Sequence, residues 1–193
     1  MSLSFPVLLT PRLKLRQITP SDADALFAIH SDVDAMRWYG VDPITERAQA
    51  ETLAEAFAGW FVARTGCRWG LERHDDQRLI GSCGFFRWNR SWRNCMVGYE
   101  LARDCQGQGY MREAMAAILD YGFDELQLHR VQAECHPGNP ASIRLLAKLG
   151  FRFEGTHRGQ AYWEERFHDL NCYALLAQEW QAQSGFPGQA GVP

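Results

Sequence analysis

Gln106-Gly107-Gln108-Gly109 stands where a strand-like stretch ending at Leu101 gives way to a segment with Met111, Met115, Ile118, Leu119, Gly122 and Phe123 at helical spacing. A strand that feeds a glycine loop that feeds a helix lays the helix back against a sheet. It also brings backbone free of side chains, with several N–H groups, to the positive end of the helix dipole. Such a junction can hold a phosphate or diphosphate, although a G-x-G turn also serves tight packing alone. Two phosphate-binding patterns are excluded. The dinucleotide fingerprint needs a glycine where Arg112 stands and an acidic ribose ligand within a repeated βαβ unit, and the Walker loop needs a following G-K-[ST]. A diphosphate cradle of another type remains.

The flanking segments give the junction its setting. Residues 9–16 alternate basic and apolar side chains, the period of a strand with one solvated face. Thr19-Pro20-Ser21-Asp22 supplies a cap, a proline at the first helical position and an acid in the first turn, which predicts a helix to about His30. Pro43-Ile44-Thr45-Glu46 opens a second helix carrying Leu53, Phe57, Trp60 and Phe61 three or four residues apart. Residues 67–73, 78–88 and 95–101 then read as an antiparallel meander. Beyond the glycine loop and its helix, 129–135 is a further strand and 141–149 a short helix closed by Gly150. Residues 152–155 and 169–177 are expected to form a closing strand pair, with the charged and aromatic stretch 160–168 between them. A single domain is expected over 1–181, and the Gly/Pro-rich residues 182–193 are expected to be a disordered tail.

Composition narrows the classes of function. With 193 residues, 46% of them hydrophobic and 22% charged, the chain has the length of one globular domain and no room for a separate cofactor domain. Twenty Lys and Arg against 23 Asp and Glu leave a formal net charge of −3, so the whole chain offers no attraction for nucleic acid or an anionic membrane. Any anionic ligand must therefore be bound locally. The first ten residues lack a basic region and a long apolar run, and no other stretch approaches a membrane helix. The six cysteines show no C-x-x-C and no repeated spacing, so they read as reduced, cytoplasmic core thiols. The six histidines form neither H-E-x-x-H nor a Cys/His quartet, and no metal site is expected.

Three stretches in order carry a family resemblance: Gly98-Tyr99-Glu100-Leu101, the run from Gln106 to Ala114, and the run from Asn139 to Phe151. Together they resemble the GNAT N-acetyltransferase superfamily, and Glu154-Gly155, Asp169 and Leu175-Leu176 resemble its RimJ/RimL-type branch of ribosomal-protein N-terminal acetyltransferases. The resemblance implies an α+β fold, with a central mixed, mostly antiparallel twisted sheet of about seven strands flanked by helices and a splayed strand pair holding the cofactor. It implies acetyl-CoA as cofactor, its diphosphate on the amides of Gln106, Gly107, Gln108, Gly109, Tyr110 and Met111. The pantetheine arm then runs beside the fourth strand, here Tyr99 to Ala102, with Leu101 and Ala102 as its contacts. Asn139 resembles the asparagine that hydrogen-bonds this arm, Ser142 sits where the branch places a hydroxyl near the sulfur, and Arg112, Arg144 and Lys148 are candidate phosphate partners. One departure is Asp104, where the superfamily usually has Gln or Arg; this carboxylate is expected to point away from the loop.

Acetyl transfer from a thioester to an amine needs a neutral amine, an oxyanion donor and an outlet for the thiolate, and much of the rate comes from positioning. Glu100 is the leading base, with Glu164 and Glu165 as alternatives, because the RimL-type base position aligns with Ala161. The tyrosine acid of many members falls at Leu146, which leaves Ser142 as the donor to sulfur and a backbone N–H near Leu101 for the oxyanion. Trp38, Tyr39, Trp88, Trp92, Tyr162 and Trp163 are candidate walls of the acceptor pocket, with Glu164 beside them. The expected partner is an amine-bearing acceptor such as a protein N-terminus, and monomer and homodimer stay open. The alternatives are a non-catalytic acyl-CoA-binding module of the same fold and a nucleotide-phosphate enzyme using the glycine loop.

Overall fold

Leu13 and Leu15 are fully buried while Lys14 and Arg16 between and beside them are not, so the alternation in the sequence becomes a strand. Pro11 lacks an N–H and Thr10 turns back to Leu13 (N–O 2.9 Å), so the run is split into β1 (Leu8–Leu9) and β2 (Leu13–Gln17). The computed structural model describes residues 4–184. Thr19 and Asp22 form the expected capping box ahead of α1 (Ala23–His30). A one-turn helix, α2 (Val33–Met36), follows, its first amides satisfied by Asp32 Oδ1; it is too short to show a period in the sequence. Then come α3 (Arg47–Ala63), β3 (Cys67–Arg73), β4 (Leu79–Asn89), β5 (Asn94–Leu101), α4 (Tyr110–Asp124), β6 (Arg130–Cys135) and α5 (Pro140–Lys148).

The chain closes with β7 (Arg152–Trp163), β8 (Arg166–Leu176) and α6 (Ala177–Ser184). Two expectations are corrected here. The stretch 160–168 does not separate two short strands but forms the arms and tip of one long hairpin, turning at Glu164 and Glu165 with φ of 48° and 58°. Bulges between Phe153 and Gly155 and between His157 and Ala161 shift the side chains from face to face, which hides the strand period. Residues 182–184, expected in the tail, continue α6, which is held by Trp180 Nε1 donating to Asp120 (2.8 Å) and by Arg152 with Glu179 (2.9 Å). The rest of the expected tail, 185–193, lies outside the described residues.

Eight strands form one sheet in the order β1-β2-β3-β4-β5-β6-β8-β7, one more than expected because Pro11 divides the first. Every pairing is antiparallel except β5 with β6. The larger core, with Trp69, Phe85, Met115, Ile118, Leu119, Val131, Leu146 and Leu175, packs α4 and α5 on one face. A smaller cluster of Ile18, Leu26, Ala54, Phe57 and Leu79 seats α1 and α3 on the other.

The feature that positions the site is where β5 and β6 part. Their pairing covers only Asn94 with Arg130, Cys95 with Val131 and Met96 with Gln132, although β5 runs on to Leu101 and β6 to Cys135. Ala102 N–H donates to Ile80 C=O at 2.8 Å, so alternate residues Glu100 and Gly98 also turn their backbone groups toward β4. Tyr99 and Leu101 therefore turn theirs toward β6, which no longer faces them.

Candidate active site

The cradle beside this gap is built by two glycines in the left-handed region, Gly107 at φ 75° and Gly109 at φ 84°, the second capping α4. The N–H groups from Gly107 to Arg112 have no acceptor among the described residues, and a β-carbon at Gly107 would meet nothing within 4 Å. Consecutive free amides at a helix start, with open space above them, fit a diphosphate. Gln106 Nε2 donates to Leu101 C=O (3.1 Å) and Gln108 Nε2 to Asp104 C=O (2.7 Å), bracing the loop from within.

Arg12, not singled out in the sequence, staples this loop to the N-terminal strand. Its Nε meets Glu113 Oε2 at 2.6 Å, its Nη1 donates to Gln108 C=O at 3.0 Å, and its guanidinium lies 4.3 Å from the Tyr110 ring centre. Thr10 Oγ1 donates to Glu113 as well (2.6 Å). The alternating basic pattern of residues 9–16 was the only signal available for it. Asp104 is held by Arg78 at 2.5 and 3.1 Å and is largely exposed. Arg112, Arg144 and Lys148 are exposed and make no ion pair among the described residues, so their charge is free for an anion.

Across the gap, Ser142 Oγ lies 2.6 Å from the Tyr99 hydroxyl, joining β5 to α5 where the strands have separated. Asn139 caps α5 by accepting from Ser142 N–H at 3.1 Å, which leaves its amide Nδ2 without a partner among the described residues. Tyr99 belongs to the Gly98–Leu101 motif, yet its role in holding Ser142 needs the fold to be seen. Burial raises its pKa, so the phenol stays protonated. Leu146 is fully buried in the core.

Glu100 sits in a different environment from the one a base needs. It is 6% exposed and paired with Arg68, which also donates from Nε to Ser82 Oγ at 2.7 Å and from Nη2 to the Tyr39 hydroxyl at 3.1 Å. Ser82 in turn donates to Glu100, and His30 Nε2 stands 3.6 Å from it, beyond hydrogen-bond reach. Burial opposes ionisation of Glu100, but the Arg68 charge, with His30 and Ser82, outweighs it and holds the pKa at about 2. Such a carboxylate is a permanent anion and a poor proton acceptor. Gly98 explains how the pair fits, since a β-carbon there would lie 3.1 Å from Arg68 Nη1, across which the side chain reaches β5.

On the face of the sheet that carries Glu100, an aromatic and imidazole cluster forms where β6 ends. Trp38 stacks on His136 (4.4 Å between centroids), and Trp163 stacks on His168 at 3.5 Å. His136 joins the two pairs, 5.8 Å from Trp163 and 5.4 Å from His168. Extending the parallel register from Met96 and Gln132 puts His136 level with Glu100. The hairpin tip is tied to the loop after α2 by Glu164 N–H donating to Asp42 (3.0 Å), while Glu164 pairs with Arg166 at 3.2 Å.

The predicted pocket residues thus divide. Trp38 and Trp163 come together with Glu164 nearby in the hairpin, whereas Tyr39 is half-buried and its hydroxyl is held in the Arg68 network. Trp88 lies at the other end of β4, where Phe86 pairs with Met96 and Asn89 with Asn94, and Trp92 in the adjoining turn is exposed; neither reaches this cluster. Tyr162 is exposed and packs on Phe167 at 5.0 Å, one residue out of phase with Trp163. No local spacing announces His136 and His168, which lie 32 residues apart and meet only through the last hairpin.

Comparison with known proteins gives the site its family. Residues 12–152 match the GNAT acetyltransferase domain. The chain is similar to the uncharacterized N-acetyltransferase YoaA of Bacillus subtilis, 38% identical over 172 residues that span 89% of this chain and 97% of that one. It is 33% identical over 112 residues, 58% of each chain, to the ribosomal protein uS5-alanine N-acetyltransferase of Escherichia coli. The fold of Mycobacterium smegmatis RimJ, solved with a CoA disulfide, matches with a TM-score of 0.80 over 92% of this chain and 94% of that one, at 21% identity. The chain belongs to the GNAT acetyltransferase family. It is an acetyl-CoA-dependent N-acetyltransferase, and the free amides of the glycine loop fit the cofactor's diphosphate.

Two outcomes follow from this geometry. Gly107→Val forces a branched side chain into the left-handed region and into the space above the amides; calorimetry should show acetyl-CoA affinity reduced at least about tenfold, and unchanged affinity would remove the loop from the site. Glu100→Gln leaves Arg68 buried without a counter-ion and should lower unfolding free energy in urea by about 3–5 kcal/mol, less if Arg68→Met is added. Because the folded pKa of Glu100 lies below the ordinary 4.5, the stability it contributes is complete above pH 4.5 and drains away as pH falls toward about 2. A wild-type unfolding curve for Glu100→Gln would contradict the pairing.

Proposed function

We propose that the chain acetylates the α-amine at the N-terminus of a protein or peptide, by direct attack while amine and thioester are held between β5 and β6. The observation that supports an α-amine over a lysine is the commitment of Glu100 to Arg68. Among the described residues the other buried carboxylate, Asp22, is equally held, by Arg16 at 2.8 Å. A site whose buried carboxylates are both committed to arginines favours the amine that is easier to deprotonate. At pH 7 about one-tenth of an α-amine with pKa near 8 is neutral, against about one in 2,500 for a lysine near 10.4. The similarity to the uS5-alanine acetyltransferase supports the same reading.

Acetyl-CoA supplies the thioester. The amides from Gly107 to Met111, with Arg112, Arg144 and Lys148, hold its diphosphate, and Asn139 Nδ2 with the backbone of Tyr99 and Leu101 holds the pantetheine arm. Leu101 N–H faces the developing oxyanion, and Ser142, oriented by Tyr99, donates to the departing sulfur. His168 Nε2 lies 3.2 Å from Trp163 C=O, which only a protonated nitrogen can satisfy, so Nδ1 of the neutral ring is an acceptor. His168 faces Ala161 across the hairpin, and we assign it the proton leaving the amine, through water. Trp38 and Trp163 wall the acceptor, with Asp42 and Glu164 at its rim. Six free cysteines, five of them buried, support a reducing, cytoplasmic setting.

A thiol-release assay with peptides beginning in Ala or Ser tests the acceptor. Free N-termini should turn over at least about tenfold faster at pH 7 than N-terminally blocked peptides carrying an internal lysine, and equal rates would overturn the α-amine reading. His168→Gln should lower kcat by about 100-fold near neutrality, with partial recovery at high pH where the amine is already neutral. An unaltered pH profile would take the proton-accepting role from His168.

A further inference from the structure

Away from the glycine loop, Glu134, His157 and Cys172 bring a carboxylate oxygen, an imidazole nitrogen and a sulfur within 4.8 Å of one another. They come from three adjacent strands. Glu134 on β6 faces Cys172 on β8 in register, and His157 on β7 faces Leu170 just past the bulge at Gly155. No local spacing announces the group, because 23 and 15 residues separate its members along the chain.

The arrangement is not that of a proton relay. His157 Nδ1 lies 3.2 Å from Cys172 Sγ and 3.4 Å from Glu134 Oε1, so both partners crowd one ring nitrogen that carries at most one proton. A relay from thiol to imidazole to carboxylate would use opposite nitrogens. Three donors converging on one point instead match a metal. With Zn–S of about 2.3 Å and Zn–N or Zn–O of about 2.0–2.1 Å, tetrahedral angles separate sulfur from nitrogen by about 3.5 Å and nitrogen from oxygen by about 3.3 Å.

We propose that Glu134, His157 and Cys172 bind a borderline divalent transition-metal ion, Zn²⁺ foremost, through three protein ligands with the fourth position open to solvent. The sulfur and imidazole disfavour Mg²⁺ and Ca²⁺, and the mixed set suits Zn²⁺ or Co²⁺. Binding displaces the Cys172 thiol proton, which leaves to solvent as the Zn–S bond forms. The ion can enter, since His157 is exposed, Glu134 half-buried, and Cys172 the one cysteine of the six that is not buried. Glu134 and His136 alternate onto the same sheet face, so the ion would lie on the acceptor side, two residues along β6 from the imidazole cluster.

The test uses the full chain after chelator treatment. Titration with Co²⁺ should give a near-ultraviolet thiolate-to-cobalt band that saturates at one equivalent and is displaced by Zn²⁺. Cys172→Ser should abolish the band with far-ultraviolet circular dichroism unchanged. His157→Ala and Glu134→Gln should each weaken Zn²⁺ binding by more than the roughly 10–100-fold that loss of an outer-shell partner causes. Absence of the band in the wild type, its survival in Cys172→Ser, or equal Zn²⁺ affinity in His157→Ala would overturn the proposal.

Discussion

The site depends on β5 and β6 pairing for three residues and then separating. Backbone N–H and C=O groups that lose a strand partner need another, and a ligand can supply it. The gap persists because each side is held by something else. Every residue of β5 from Gly98 to Leu101 is registered against β4, and β6 is paired along its whole length with β8. The hydroxyl bridge between Tyr99 and Ser142 then ties the two sides together at the level of the gap. Closing the gap would break that bridge and move α5, whose first turn Asn139 caps.

Charge is distributed in keeping with this frame. Arg12, Arg16, Arg68, Arg78 and Arg130 are each bound to a carboxylate, whereas Arg112, Arg144 and Lys148 on α4 and α5 make no ion pair among the described residues. The formal net charge of −3 therefore conceals cations left unpaired on α4 and α5. At the hairpin tip Glu164 pairs with Arg166, and its N–H donates to Asp42.

Much of this was legible in the sequence. The helix start after Thr19, the meander and the strand–glycine–helix junction rest on short-range rules of capping, period and turn chemistry, and those elements formed as expected, whereas the helix signalled at Pro43 begins only at Arg47. The placement of Glu100 was not legible. Its partners Arg68, Ser82 and His30 lie on other elements, and only the register of β3, β4 and β5, with α1 packed against them, brings them to it. The last hairpin escaped for a related reason, because two bulges erase the alternation on which strand recognition relies. Trp88 looked like a pocket wall by residue type alone; its position at the far end of β4 is a matter of register.

The central claim is that the free amides of the glycine loop and the separated edge of β5 together receive acetyl-CoA. Amide chemical shifts followed by nuclear magnetic resonance during titration with CoA test it most directly. The account predicts the largest changes at the N–H groups of Gly107 to Arg112, Tyr99 and Leu101, with Gly84 and Val131 nearly unmoved. Saturable CoA binding that leaves the amides of residues 107–112 unshifted would contradict it.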